Sequence, residues 1–281
     1  MSLLSIAPRL AAGRPRLLCA REHPAGNTEK INELENPMTS TSRSGAAVCV
    51  DGQNMALYVA HPEGAGPFPG LVVIQHASGV DEFVRAMADQ LAEAGYVAAA
   101  PDLYHRQAEP RAPLERMAQL KDAEVIADVN ATVEALRADR RVQHEHIGVV
   151  GFCMGGRIAY MMAACNRHLK AAVVYYGGNT MRPWGEGIPS PFERTEDIGC
   201  PVLFHCGEED TNPSPADCAR LEAELSRLGK PHEFFAYPRA GHAFMNFMNA
   251  ERYRETAAKV SWLRTLEFLS RHLRSRSAHI A

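Results

Sequence analysis

The residue in this chain whose setting most favours chemistry is Cys153, at the centre of the run GFCMGG over residues 151–156. The run follows the apolar segment 147–152, which predicts a buried strand, and it opens a segment with helical spacing at 154–164. A sharp strand–turn–helix junction can hold a nucleophile on a strained turn, and glycines two residues to either side relieve the crowding there. The helix N-terminus beside the sulfur would favour a thiolate. The alternative is a glycine-rich turn with an inert buried cysteine.

A thiol nucleophile benefits from a base and from a group that orients the base, and two later turns offer both. Asp210 ends the run GEED after the apolar segment PVLFHC, and His242 lies in AGHAF after EFFAY. In such a fold the expected chain order is nucleophile, acid and histidine, each after a later strand. We predict a triad in which Asp210 holds the imidazole tautomer and His242 moves the proton to and from Cys153. Glu208 or Glu209 could replace Asp210, and both turns could also be plain surface turns.

Alternating strand and helix patterns must bring these turns together. Strands are predicted at 46–50, 55–60, 70–75, 97–100, 147–152, 171–176, 201–206 and 233–237, and helices at 83–94, 114–138, 154–164, 215–228 and 252–273. The alternation predicts an α/β fold with a mostly parallel sheet and helices on both faces. All three turns are then expected at the edge formed by the carboxyl ends of the strands. The irregular stretch 177–199 is expected to be a lid or a pocket wall.

The regular pattern predicts one domain at 46–273 of the 281 residues, with a leader outside the core at 1–45 and a tail at 274–281. The leader carries arginines and lacks periodicity, so a transit peptide and a later start at Met38 both remain open. A hydrophobic fraction of 46% is enough for a large buried core. The net charge of -3 argues against a nucleic-acid partner, and no apolar run is long enough to predict a membrane span.

The seven cysteines are irregularly spaced and include no CxxC pair, so neither a zinc cluster nor a thioredoxin-like site is predicted. In a chain of this length we expect reduced thiols and a cytoplasmic protein. No metal and no cofactor are expected, because a triad activates its own nucleophile. The expected partner is a small-molecule substrate, and the protein is expected to be a monomer or a small homo-oligomer.

Four segments in combination resemble the dienelactone hydrolase family of the α/β-hydrolase superfamily: GFCMGG, AGYVAAAPDLYHR, HCGEED and AGHAF. The resemblance spans roughly 46–273 and is most specific at Cys153, since most α/β-hydrolases carry serine there. It implies the α/β-hydrolase fold and hydrolysis of a lactone or carboxylic ester, like that of a carboxymethylenebutenolidase, through an acyl-thioester. It also implies an oxyanion hole made by the backbone N–H groups of Ala77 and Met154.

Two departures from the family pattern bear on the substrate. His76 stands where members that open dienelactones carry a glutamate that helps to activate the thiol; it could polarise the thiolate or merely line the pocket. Those members also carry an arginine just beyond the histidine turn that grips the substrate carboxylate, whereas the run here is FMNF at 244–247. Arg106, Arg182 or Arg194 could substitute, although a solvated surface role is expected for each.

The remaining pocket candidates are apolar: Tyr104, Trp184 and Met245, with Phe247 beside them. They favour a cysteine-dependent hydrolase of a small lactone or ester with a more apolar pocket. A second hypothesis is a promiscuous acyl hydrolase that acts on another electrophile. A third is a ligand-binding protein without catalysis, which the change at His76 permits and an intact pair of Asp210 and His242 opposes. Burst release of product from a chromogenic ester would separate the enzymes from the binding protein.

Overall fold

Continuous apolar runs form the strands at the centre of the molecule, as expected of parallel strands that helices cover on both faces. The computed structural model describes residues 41–107 and 111–274. The predicted leader up to residue 40 and the predicted tail from residue 275 lie outside these residues.

The strands are β1 (Thr41–Val50), β2 (Gln53–Pro62), β3 (Phe68–Ile74), β4 (Val97–Pro101), β5 (Val142–Phe152), β6 (Leu169–Tyr175), β7 (Val202–Gly207) and β8 (His232–Tyr237). The helices are α1 (Glu82–Glu93), α2 (Pro113–Ala118), α3 (Asp122–Ala138), α4 (Met154–Cys165), α5 (Pro215–Arg227) and α6 (Glu255–Leu273).

The strands of the described residues form one 8-stranded sheet in the order β1-β2-β4-β3-β5-β6-β7-β8. The pairs β1–β2 and β2–β4 are antiparallel, and the pairs from β4 through β3 to β8 are parallel. The predicted α/β class with a mostly parallel sheet is therefore confirmed. The parallel part places the ends of β5, β7 and β8 at one edge, which is the edge from which the candidate turns leave.

Helices cover both faces of the sheet and produce two buried layers. Ile158 of α4 and Leu221 of α5 belong to one layer, and Leu91 of α1 and Phe268 of α6 belong to the other. Neighbouring residues of β5 point to opposite layers because side chains alternate along a strand. This double burial fixes the end of β5, and with it the turn that carries Cys153.

Three boundaries differ from the sequence prediction, and one of them is the start of β5, which lies at Val142 rather than at residue 147. β1 begins at Thr41, before the predicted domain start at residue 46. The predicted helix 114–138 is two helices, because the backbone N–H of Asp122 donates to the carbonyl of Trp184 at 2.7 Å rather than to a carbonyl of the preceding turn. The break at 119–121 thus depends on a contact with a distant loop.

The stretch 177–199, which was expected to be a lid or a pocket wall, contains little regular structure beyond the 3-10 turn Thr195–Asp197. In the part of the chain that the structure describes, no helix combines the length and the hydrophobicity that crossing a bilayer requires.

Candidate active site

Cys153 sits on a strained turn between β5 and α4. Its φ is 57° and its ψ is -116°, in the left-handed half of backbone space that non-glycine residues rarely occupy. A methyl group at Gly151 would overlap the carbonyl of Gly155, and one at Gly155 would overlap the carbonyl of Ile74. The turn is held in place by a hydrogen bond of 3.0 Å from the Cys153 backbone N–H to the carbonyl of Tyr175 in β6.

The structure brings Cys153, His242 and Asp210 together. His242 Nε2 lies 3.0 Å from Cys153 Sγ, and His242 Nδ1 lies 2.9 Å from Asp210 Oδ2. The Asp210 carboxylate is buried, whereas Glu208 and Glu209 are exposed. Of the three acidic residues in this turn, Asp210 is thus the one whose carboxylate meets the imidazole.

His242 is held in its charged form by its neighbours. Burial alone lowers the pKa of the imidazole, but the hydrogen bonds with Asp210 and with Cys153 outweigh it and raise the pKa to about 10. The edge of His242 also meets the ring of Tyr176, with ring centroids 5.2 Å apart. The site therefore favours a protonated His242 beside the sulfur near neutral pH.

A cavity of about 180 Å³ opens onto the sulfur. It is lined by Ala77, Leu114, Met117, Cys153, Met154, Arg157, Gly178, Asn179, Trp184, Asp210, Thr211, Asn212 and His242. Both residues expected to form the oxyanion hole are in this lining. Met154 is the first residue of α4, and the backbone N–H groups of a first helical turn have no partner within the helix. A separate cavity of about 460 Å³, lined partly by 78–81, contains none of the three triad residues.

Of the predicted pocket residues, Trp184 lines the cavity, whereas Tyr104 and Met245 do not. The Tyr104 hydroxyl donates to the carbonyl of Ala77 at 2.8 Å and so holds the loop that contains Ala77. Burial raises the pKa of Tyr104 to about 12, which keeps this hydroxyl a donor. Met245 is buried in the layer beneath α6.

His76 is also outside the cavity lining, and its contacts lie elsewhere. Its Nε2 is 2.7 Å from Oδ2 of Asp81, the residue that caps the N-terminus of α1. Burial raises the pKa of Asp81, but the hydrogen bond and charge of His76, together with backbone N–H groups at the start of α1, outweigh it and lower that pKa. The imidazole meets the ring of Phe83 at its edge, with centroids 5.6 Å apart. These contacts indicate a structural role at the start of α1.

The arginines considered as carboxylate binders do not line the cavity. Arg106 is paired with Asp128 at 2.7 Å and with Asp51 at 2.8 Å. Arg182 is exposed, and Arg194 lies just before the 3-10 turn of the 177–199 stretch.

Sequence reasoning missed Arg157, in the first turn of α4, which among residues 41–107 and 111–274 is the arginine that lines the cavity. Its side chain is buried and pairs with the buried carboxylate of Asp122 at 2.6 Å. The sequence contained a signal for this arginine. It lies inside the apolar helical segment MGGRIAYMMAAC, so it is buried with that helix, and a buried arginine requires a partner. Leu114 and Met117 of α2 were also missed, since nothing in their local pattern links α2 to the turn at Cys153.

The cysteine prediction was wrong for two residues, because Cys206 and Cys218 form a disulfide. Cys206 lies near the end of β7 and Cys218 in the first turns of α5, so the chain returns over the sheet edge and brings them together. A spacing of 12 residues between two cysteines does not by itself predict a disulfide. The bond also removes part of the cysteine argument for a cytoplasmic protein.

Comparison with known proteins finds a match of residues 55–273 to the model of the dienelactone hydrolase family. A Synechocystis protein assigned as a carboxymethylenebutenolidase is 32% identical over 240 residues, covering 81% of this chain and 96% of that protein. A Bradyrhizobium protein assigned as a 2-oxo-3-(5-oxofuran-2-ylidene)propanoate lactonase is 30% identical over 229 residues, covering 79% of this chain and 92% of its own.

Among solved structures, a Klebsiella pneumoniae protein assigned as a dienelactone hydrolase superposes with a TM-score of 0.77 at 31% identity. The alignment covers 83% of this chain and 100% of that one.

Proposed function

The chain belongs to the dienelactone hydrolase family, and from that premise we propose that it hydrolyses a small lactone or carboxylic ester with Cys153 as its nucleophile. The family is one of hydrolases, and the protein is an enzyme of that kind. Relatives are assigned as a carboxymethylenebutenolidase and as a lactonase, which supports an acyl substrate of this class.

One observation carries the proposal: His242 is hydrogen-bonded to Cys153 through Nε2 and to Asp210 through Nδ1, at the wall of an open cavity. A nucleophile, a base and an orienting carboxylate in hydrogen-bond contact form the arrangement that activates a thiol for acyl transfer.

In the first half of the proposed reaction, the Cys153 sulfur attacks the acyl carbon of the substrate. The carbonyl oxygen gains negative charge, and the backbone N–H groups of Met154 and Ala77 stabilise it by donating hydrogen bonds. When the tetrahedral intermediate collapses, the bond from carbon to the alkoxy oxygen breaks, and protonated His242 gives its proton to that oxygen. An alcohol leaves, or in a lactone the ring opens, and an acyl-thioester remains.

In the second half, neutral His242 accepts a proton from a water molecule, which attacks the thioester carbon. The carbon–sulfur bond breaks, the carboxylic acid is released, and the sulfur returns to its contact with protonated His242. Asp210 remains ionised throughout and stabilises the imidazolium. Arg157 and Trp184 line the space that the acyl group would occupy.

The proposal is tested with 4-nitrophenyl acetate under rapid mixing. The wild-type protein should release a burst of 4-nitrophenol equal to the enzyme concentration whenever thioester hydrolysis is slower than acylation, and intact mass spectrometry should find one acetyl group, on Cys153. Cys153→Ala should retain the fold and lose turnover by about 10³-fold or more. Cys153→Ser should retain the fold and lose most of its turnover.

Cys49 provides the matched control, because it is a free cysteine exposed on β1. Cys49→Ala should leave both burst and turnover unchanged. Normal turnover in Cys153→Ala would remove Cys153 from the mechanism. Ligand binding without acylation or turnover in the wild type would favour a binding protein instead.

A further inference from the structure

We propose that the cavity at Cys153 selects neutral esters or lactones and discriminates against substrates that carry a carboxylate. The inference rests on the proposed function for its substrates, but its physical basis is the charge of the cavity wall. That basis can be measured without turnover.

Arg157 is the arginine in the cavity lining, and its donors are already used. Nη1 donates to Asp122 Oδ1 at 2.6 Å and Nη2 donates to Asp122 Oδ2 at 3.0 Å, so the guanidinium fork that would bind a carboxylate already holds one. Nη2 also donates to the carbonyl of Arg182 at 2.6 Å, and Nε to that of Asn179 at 3.3 Å.

The guanidinium face is covered as well. The ring of Trp184 lies 3.8 Å from the Arg157 guanidinium carbon, in cation–π contact. Trp184 is fixed from its backbone, since its N–H donates to Asp122 Oδ2 at 2.8 Å and its carbonyl accepts from the Asp122 N–H at 2.7 Å. Both side chains of the Arg157–Asp122 pair are almost fully buried, at 1% and 2% exposure. Releasing Arg157 to a ligand would strand Asp122 as an unpaired buried charge, which is strongly unfavourable.

The second cation of the wall is equally committed. His242 meets Cys153 through one ring nitrogen and Asp210 through the other. Arg157 is thus paired with Asp122 and His242 with Asp210, so each of these two cations already has a carboxylate partner. A substrate carboxylate would therefore lose water in the cavity without gaining a free cation as its partner, which is unfavourable.

Other nearby arginines do not change this balance. Arg116 lies over the ring of Tyr104 at 4.0 Å and lines the neighbouring cavity of about 460 Å³, while Arg106 is paired with Asp128 and Asp51. The remaining wall beside the sulfur includes Leu114, Met117 and Trp184, which suit an apolar acyl chain. A volume of about 180 Å³ favours a small one.

The charge of the site is tested by alkylating the protein with iodoacetamide, which is neutral, or iodoacetate, which is an anion of nearly the same size. Peptide mass spectrometry gives both rates at Cys153 and, as an internal control, at exposed Cys49. The ratio of the iodoacetamide rate to the iodoacetate rate should be at least about tenfold larger at Cys153 than at Cys49. An equal or smaller ratio at Cys153 would overturn the proposal, even if the protein hydrolysed no ester.

A second experiment measures the turnover of 4-nitrophenyl butyrate and 4-nitrophenyl hemisuccinate. The acyl chain of the butyrate ends in a methyl group, and that of the hemisuccinate ends in a carboxylate. We expect kcat/KM for the butyrate to exceed that for the hemisuccinate by about 30-fold or more. Comparable values for the two esters would refute the selectivity while leaving the proposed hydrolase intact. If neither ester were hydrolysed, the proposed function would be in doubt, and the alkylation ratio would still decide the inference.

A matched pair of variants at Leu114 checks that the missing element is a free cation. Leu114 is exposed on α2 and borders the cavity, so a polar residue there should not unfold the protein. Leu114→Arg should raise kcat/KM for the hemisuccinate relative to the butyrate by about tenfold, and Leu114→Gln should not. Equal behaviour of the two variants would contradict a charge-based exclusion.

Discussion

The two oxygens of the Asp210 carboxylate have different partners. Oδ2 meets His242 Nδ1 at 2.9 Å, and Oδ1 accepts the backbone N–H of Asn212 at 2.8 Å. The second bond fixes the orientation of the carboxylate, which in turn fixes which imidazole nitrogen faces the sulfur of Cys153. At the scale of single residues, then, the site depends on directed hydrogen bonds more than on charge alone.

Replacing Asp210 with asparagine tests this dependence. An amide can present its NH2 group to His242 Nδ1 and favour the wrong tautomer, so kcat/KM for 4-nitrophenyl butyrate should fall by about 10²- to 10⁴-fold. Glu209→Gln is the matched control, because Glu209 lies one residue away and is exposed; it should leave kcat/KM within about twofold. Near-normal activity in Asp210→Asn, measured in a protein with a native circular dichroism spectrum, would argue against the triad.

The meeting of Cys153, Asp210 and His242 was predictable because each follows an apolar run and has a chemically distinct side chain. Arg157 and Asp122 were not predicted as a pair, because they come together only when α3 and α4 pack side by side. His76 was expected either to polarise the thiolate or to line the pocket, whereas its partner in the structure is Asp81, five residues along the chain.

Among the elements, the connection between β7 and α5 carries Asp210, and two separate interactions restrain it. The Cys206–Cys218 disulfide joins its two ends. A capping box at the start of α5, in which Ser214 and Asp217 bind each other's backbone N–H groups, fixes the entry to the helix. The turn with Asp210 is thus clamped between a covalent bond and a helix cap.

Reduction of this disulfide should lower the free energy of unfolding by about 3 kcal/mol, since a loop of this length gains conformational entropy in the unfolded chain when the bond is cut. Urea denaturation with and without a phosphine reductant measures the change. The double variant Cys206→Ser/Cys218→Ser should be insensitive to the reductant, and Cys49→Ala should respond as the wild type does. A wild type with the same stability in both conditions would show that the bond does not form or does not stabilise.

Most elements followed from the sequence because hydrophobic periodicity is a local property. The strands β3, β4 and β6 to β8 and the helices α1, α4, α5 and α6 lie within a few residues of their predicted limits. The break between α2 and α3 did not follow, because it is set by the hydrogen bond from the backbone N–H of Asp122 to the carbonyl of Trp184, 62 positions apart in the chain. A hydrogen bond between residues so far apart in the chain does not change the hydrophobic periodicity of either segment.

For the molecule as a whole, two histidines act on stability in opposite directions. His205 is fully buried between the hydroxyls of Tyr237 and Thr265, and burial, together with Arg264, lowers its pKa well below the ordinary 6.5. His242 has a pKa raised to about 10 despite its burial. The folded protein therefore resists protonation at the first site and favours it at the second.

The signs give a stability maximum near pH 6.5. Below this value the unfolded chain binds a proton at residue 205 that the folded protein does not, so stability falls by up to about 1.4 kcal/mol per pH unit. The charge on His242 stabilises the folded protein in full below pH 6.5. Above pH 6.5 this stabilisation decreases, and it is lost as the pH rises through about 10.

Urea denaturation from pH 5 to pH 10 checks both limbs. His205→Gln should flatten the acid limb, and His242→Gln should flatten the alkaline limb. Unchanged acid dependence in His205→Gln would assign that limb to other groups.

The crowding at Gly151 and Gly155 has a consequence for any survey of single substitutions. Alanine at either position should abolish turnover as completely as alanine at Cys153, because one added carbon displaces the turn. A screen scored by product formation alone would then place two residues without functional groups among the reactive ones. Scoring the same library by cellular abundance would separate the two groups. Variants of residues that take part in the reaction should keep their protein level, whereas variants of the two glycines should lose it.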